Sequence, residues 1–100
     1  MTKADLVEEV AEAIGPGVTK KDCALIVDGF LNAVKKALMN GENIEIRGFG
    51  TFKVRRRKAR KARNPRTGES VRVPERYVPV FKPSKQLRGR VSAEGKKREE

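Results

Sequence analysis

Between Leu6 and Ile14 the apolar side chains Leu6, Val7, Val10, Ala13 and Ile14 recur three and four residues apart. Glu8, Glu9 and Glu12 fall on the other side, which is the pattern of an amphipathic helix. Thr2 and Asp5 stand at the spacing of a capping box, and Gly15-Pro16-Gly17 ends the run. Thr19 and Asp22 repeat the start signal. Cys23, Ile26, Val27, Phe30, Leu31, Val34 and Leu38 then give a second helix a broad apolar face that stops at Asn40-Gly41. Two such helices joined by a short turn predict an antiparallel pair.

After Gly41 the period shortens to two. Ile44 and Ile46 alternate with Asn43, Glu45 and Arg47, which predicts a half-buried strand. Gly48-Phe49-Gly50 reads as a tight bend with Phe49 as its apolar plug, and Thr51 to Val54 resumes the strand. Val71 and Val73 mark a returning strand, and Tyr77, Val78, Val80 and Phe81 bring it back to the body. Pro74 and Pro79 lack an amide hydrogen, so this strand is expected at an edge or interrupted at those positions. Ser84 is placed to cap a short last helix carrying Leu87 and Val91, and "SAEGKKREE" reads as a frayed polar tail.

Composition turns this outline toward a partner. The chain has 100 residues and a net charge of +11, unevenly divided. Residues 1–46 carry five basic and eight acidic side chains, whereas residues 47–100 carry nineteen basic and five acidic ones. A folding half joined to a half that meets a polyanion fits this asymmetry. Nucleic acid is the expected polyanion, because the basic region lacks the large apolar residues of a membrane-inserting face. One cysteine, Cys23, and no histidine exclude an intrachain disulfide and a His/Cys zinc site, and fit a reducing cytosol. Acidic residues stand where a signal peptide would be cationic, and no apolar run reaches membrane-spanning length, so a soluble intracellular protein is expected. Cys23 reads as a small buried apolar residue, and the four Phe as core.

The densest charge lies in "RRRKARKARNPRTG", Arg55 to Gly68, where eight of fourteen residues are Lys or Arg and none is acidic. Blocks of like charge are usually solvated or disordered. Here, strand patterns lead in and out, Ala59 and Ala62 interrupt the charge, and Asn64-Pro65-Arg66-Thr67-Gly68 has turn chemistry. A long two-stranded ribbon with a turn at its tip is therefore expected. If that ribbon projects into solvent, few residues remain for a core, and a partner subunit is needed to bury shared apolar surface. The predicted fold is α+β: a helical hairpin base and a short antiparallel sheet with a long β-ribbon arm. One domain spans residues 1–100. Its helical dimerisation part and first strand cover 1–47, the sheet covers 48–82 with the arm at about 53–76, the last helix covers 83–91 and the flexible tail 92–100.

"GFGTFKVRRRKARKARNPRTGESVRVP" followed by "YVPVFKPSKQLRGRV" resembles the HU/integration host factor family of bacterial histone-like DNA-bending proteins. The hinge GFGTF, the tip RNPRTG and the FKP-x-K-x-L segment match in order and spacing, and the likeness runs from about residue 2 to residue 91. It implies an intertwined dimer whose ribbons wrap double-stranded DNA through the minor groove. It implies that Pro65 intercalates as a wedge between base steps, with Arg63, Asn64 and Arg66 on the groove floor. Lys53, Arg55, Arg57, Lys58, Arg60, Lys61 and Arg72 would follow phosphates along the arm. On the body, Lys3, Lys85 and Arg88 match phosphate contacts. "IEIRGFG" and "RYVPVFKP" are closer to the integration host factor β branch than to typical HU, which implies that Arg47 reaches bases at the root of the arm. The chain departs from the family pattern at Ala62 and Ser84, where Gly is common, and in three consecutive Arg at 55–57. Loss of the Gly at Ala62 is expected to cost positive-φ freedom near the tip.

The resemblance and the charge together predict an architectural protein that bends DNA with little sequence preference and organises the bacterial nucleoid, in the cytoplasm. A site-specific bending subunit acting in recombination, replication or transcription is the alternative, and an RNA-binding basic protein a more distant one, since exposed aromatics for base stacking are few. No catalytic constellation, metal, cofactor or small-molecule substrate is implied. Homodimer and heterodimer with a related chain both remain open.

Overall fold

The computed structural model describes residues 1–99. The chain forms helices α1 (Lys3–Ile14) and α2 (Lys20–Met39), strands β1 (Ile44–Ile46), β2 (Gly50–Arg57), β3 (Arg60–Arg63), β4 (Ser70–Val73) and β5 (Arg76–Pro83), and helix α3 (Lys85–Glu99). It divides into two compact units, one up to Lys36 and one from Ala37 onward.

In the first unit α1 starts where the capping box predicts. The Thr2 amide donates to Asp5 Oδ2 at 2.7 Å, and the Asp5 amide donates back to Thr2 Oγ1 at 3.4 Å. Two otherwise orphaned donors are thereby satisfied. Gly15, at φ 87°, ends the helix. The Asp22 amide donates to Thr19 Oγ1 at 3.1 Å as α2 begins. Ion pairs Lys3–Asp28 (2.8 Å) and Lys20–Glu8 (2.7 Å) join an early residue of one helix to a later residue of the other, which makes the pair antiparallel. Cys23 is fully buried and Val7 nearly so, while Leu6, Leu25, Ile26 and Phe30 each remain more than half exposed.

The second unit opens with the end of α2. Gly41 adopts φ 76°, its amide donates to the Leu38 carbonyl at 3.0 Å, and the Glu42 amide donates to the Ala37 carbonyl at 2.9 Å. That pair of bonds is a Schellman motif and satisfies two carbonyls at the helix end. β1, β2 and β5 form an antiparallel sheet in that order. The bend between β1 and β2 uses Gly48 at φ 80° and a bond from the Phe49 amide to the Ile46 carbonyl at 3.0 Å. Phe49, Phe52 and Phe81 pack as a cluster, with centroids 4.8 to 6.3 Å apart. Gly50 is buried at its edge. A Cβ there would lie 2.6 Å from the Lys82 carbonyl oxygen and from the Phe81 ring, so no side chain fits.

Beyond this sheet the hairpin continues as a separate ladder of β3 with β4. Pro79 sits in the edge strand β5, and Pro74 falls at the interruption between β4 and β5. Both positions suit a residue that cannot donate. Ala62 lies in extended β3, and among the described residues none other than glycine takes a positive φ, so the glycine common at that position is not required here. The Leu87 amide donates to Ser84 Oγ at 3.1 Å and caps α3. The expected tail over 92–100 requires correction: α3 runs on through Glu99. Straight-chain Glu94, Lys96, Lys97 and Arg98 are good helix formers, and the basic ones suit the negative end of the helix dipole. Glu100 lies outside the described residues.

Candidate nucleic-acid interface

The tip of the arm is built by Asn64 and Gly68. The Asn64 amide donates to the Glu69 carbonyl, and its own carbonyl accepts from the Gly68 amide, both at 2.8 Å. Its side chain accepts from the Arg66 amide at 2.9 Å, an Asx turn. Gly68 supplies the left-handed φ of 73° that closes the loop. Pro65 is held between these bonds at the outermost bend, exposed to solvent. Asn64 thus has a structural part in presenting the proline, besides any contact it makes itself.

Along the arm the strand register decides which cations share a face. Lys61 lies directly across from Arg72, and Arg63 across from Ser70, so these side chains stand on one face of the distal ladder. Arg60↔Val73 and Ala62↔Val71 occupy the other. In the proximal ladder Lys53, Arg55 and Arg57 alternate onto one face, and Arg57 lies directly across from Arg76. Like charges placed directly opposite are destabilising. A fold that sets Arg57 against Arg76 and Lys61 against Arg72 leaves repulsion that a polyanion relieves.

Arg57, Lys58 and Arg60 meet around one open cleft, and Arg60, Lys61 and Arg72 around a second. At the other end of the sheet Arg47, Lys85 and Arg88 line a cleft of about 350 Å³ beside the start of α3. There the positive end of the helix dipole adds to the three cations. Lys3 belongs to the helical unit, on α1, where Asp28 takes its ammonium at 2.8 Å. Two cations join the expected set. Lys82 lines the α3 cleft with Arg47, and Arg76 lines the cleft of Arg57 and Lys58. The signal for both was strand pairing: Lys82 faces Thr51 and Arg76 faces Arg57, positions that follow once β2 and β5 are aligned from the hinge. Arg56 alternates away from Arg55 and Arg57 and is held by Glu75 at 2.9 Å.

No group of three or more His, Cys, Asp or Glu side chains is placed to hold a metal among the described residues, and no helix among them is long and apolar enough to cross a membrane. The arm and the cleft define a class: small α+β proteins that hold a polyanion with a cationic β-ribbon. A family model for bacterial DNA-binding proteins matches residues 1–92. The chain belongs to that family, the HU/integration host factor family. It is 52% identical over 91 residues to integration host factor subunit beta of Paraburkholderia phytofirmans, covering 91% of this chain and 84% of the relative. The subunit beta from Burkholderia cenocepacia is 50% identical over the same span, with the same shares covered. Among solved structures, Anabaena HU crystallised with DNA superposes with a TM-score of 0.82 at 38% identity, covering 91% of this chain and 97% of that one.

Proposed function

We propose that the chain is one half of a dimer that wraps duplex DNA with its two arms and bends it by inserting Pro65 between base steps. The observation that carries this reading is the arm itself. Cations sit directly across from cations, and at its tip a rigid proline is held outward by three bonds to Asn64. Unstacking a base step costs a few kcal/mol, which the longer protein–DNA contact along the arm offsets. Arg63 and Arg66 flank the wedge, and Lys53, Arg55, Arg57, Lys58, Arg60, Lys61 and Arg72 follow the phosphates. Arg47, Lys85 and Arg88 take the backbone at the root of the arm, joined by Lys82, and Arg76 joins the arm set. Lys3 reaches a phosphate only by leaving Asp28, so its share is small. The exposure of Leu6, Leu25, Ile26 and Phe30 supports a dimer, since a lone chain would leave that surface in water. Binding is not accompanied by catalysis, and the protein works on the nucleoid in the cytoplasm.

Paired measurements of bending and binding test the wedge. Pro65→Ala is expected to reduce the bend, read as energy transfer between dyes at the duplex ends, more than it reduces affinity for straight duplex. Equal losses would remove the wedge. If about six to ten phosphates are neutralised, log K should fall with log salt at a slope of roughly −5 to −9, and a salt-insensitive complex would contradict the reading.

A second reading is favoured by the relatives, which are integration host factor β subunits. On that reading the protein bends particular sites, with a related chain as partner, and Arg47 reads bases at the arm root. Competition between a candidate site and random duplex at fixed salt decides. A ratio near one supports the general bender, and a ratio in the thousands the site-specific one.

A further inference from the structure

The hairpin that becomes the arm loses its pairing midway. The last proximal pair is Arg57↔Arg76 and the first distal pair Arg60↔Val73, so Lys58, Ala59, Pro74 and Glu75 belong to neither ladder. Pro74 cannot donate a ladder bond, because proline has no amide hydrogen. A two-stranded ribbon without main-chain ties is free to flex there. One side-chain contact stands at this lapse. The Arg56 guanidinium meets the Glu75 carboxylate at two points: Nη2 donates to Oε2 at 3.2 Å, and Nε lies 2.9 Å from Oε1 as an ion pair. The fork-to-fork arrangement fixes direction as well as distance. Arg56 belongs to the end of the proximal ladder, and Glu75 to the unpaired stretch that leads back from the distal one. Arg56 also alternates off the face that carries Lys53, Arg55 and Arg57, so gripping Glu75 takes no cation from that row.

We infer that Arg56 and Glu75 form a positioning brace, which fixes the direction in which the distal ribbon leaves the body and aims the arm before DNA arrives. The inference rests on the arm being the DNA-binding element. Glu75 is then an acidic residue that promotes binding to a polyanion. Simple electrostatics demands the opposite, since removing a carboxylate from the arm raises its positive charge and should tighten the complex. Both side chains are about half exposed, at 57% and 44%, so the pair adds little to global stability. Its effect falls on the joint and on the distal ladder anchored through it: a distal ribbon held and aimed in advance loses less freedom when it binds.

The test uses the full chain, Glu75→Gln and the swap Arg56→Glu with Glu75→Arg. Amide exchange in the free protein and affinity for a nicked duplex are both read. In Glu75→Gln, exchange over Arg60–Arg63 and Ser70–Val73 should quicken roughly two- to fivefold, with the β2–β5 amides unchanged. Affinity should fall by a similar factor despite the added positive charge, and the swap should restore both. Unchanged exchange, tighter binding by Glu75→Gln, or a swap that restores neither property would overturn the brace. A parent protein that fails to bind duplex at all would instead sink the DNA reading, and exchange in the free protein would still decide whether the brace exists.

Discussion

The β2–β5 ladder and the β3–β4 ladder are consecutive lengths of one hairpin, yet they are held in opposite ways. In the first, Phe52 lies across from Phe81 with ring centroids 4.8 Å apart, and buried Gly50 lets the strands close against Pro83 and Lys82. In the second, Lys61 faces Arg72, Val71 is 45% exposed, and even Val73 is only half-buried. Two strands without a buried apolar face are marginal in water at best. The proximal length therefore supplies stability and the distal length supplies binding. Within a single hairpin the two properties are separable, and substitutions should sort by which length they touch.

The largest effect is expected where the proximal ladder is tightest. In Gly50→Ala the new methyl group would meet the Lys82 carbonyl oxygen and the Phe81 ring at 2.6 Å. Backbone cannot yield as a flexible side-chain end would, so overpacking should cost about 3 kcal/mol. Urea unfolding at fixed protein concentration reads this as a lower midpoint with an unchanged slope. The arm depends on the sheet that carries it, so DNA binding should fall with stability. A midpoint within error of the parent would mean that the hinge is looser than its geometry.

In the distal length the same two readouts should separate. Replacing Arg72 by Ala removes a phosphate ligand of the proposed complex and also the repulsion with Lys61. The salt slope of log K should shrink by about 0.9 for each phosphate that the variant no longer neutralises. Relief of the cross-strand repulsion adds roughly 0.2–1 kcal/mol to the pairing, so the thermal midpoint should hold or rise. A variant that binds less and also melts earlier would break the division between the two lengths.

Much of this division is legible in the chain itself. Period-2 runs and Gly-Phe-Gly mark the hinge, Asn64 to Gly68 mark the tip, and the capping box at Thr2 and the stop at Gly41 place the helices. Pattern along one strand does not show what stands across from it. Arg76 and Lys82 escape a sequence reading for that reason: each gains meaning only from its pairing with Arg57 or Thr51. Arg56 stands inside a run of three Arg, and only the register puts it on the opposite face, where Glu75 holds it. The extension of α3 to Glu99 is hidden for a different cause. Residues 92–99 include no apolar stripe, so helical periodicity has nothing to register, and intrinsic propensity with the Glu94–Lys97 pair carries the helix instead.

The smallest expected effect comes from the helical unit, where charge is arranged in the reverse sense. There each basic side chain of an ion pair meets an acid, as in Lys20–Glu8, whereas the distal ladder sets cation against cation. The hydrogen bond from Lys20, and then its positive charge, lowers the Glu8 carboxyl from its ordinary pKa. A group whose folded pKa is lowered contributes stability in full above its unfolded pKa, and loses it as pH falls through the folded value. The thermal midpoint should therefore decline on acidification through the carboxylate range, and Glu8→Gln should flatten a small part of that decline. The pair is solvent-exposed, so about 1 M salt, with a screening length of roughly 3 Å, should erase the difference between parent and variant. If Glu8→Gln removed most of the acid decline, this one surface pair would be holding the helices together, and the helical unit would have to be read as depending on its charges as heavily as the arm does.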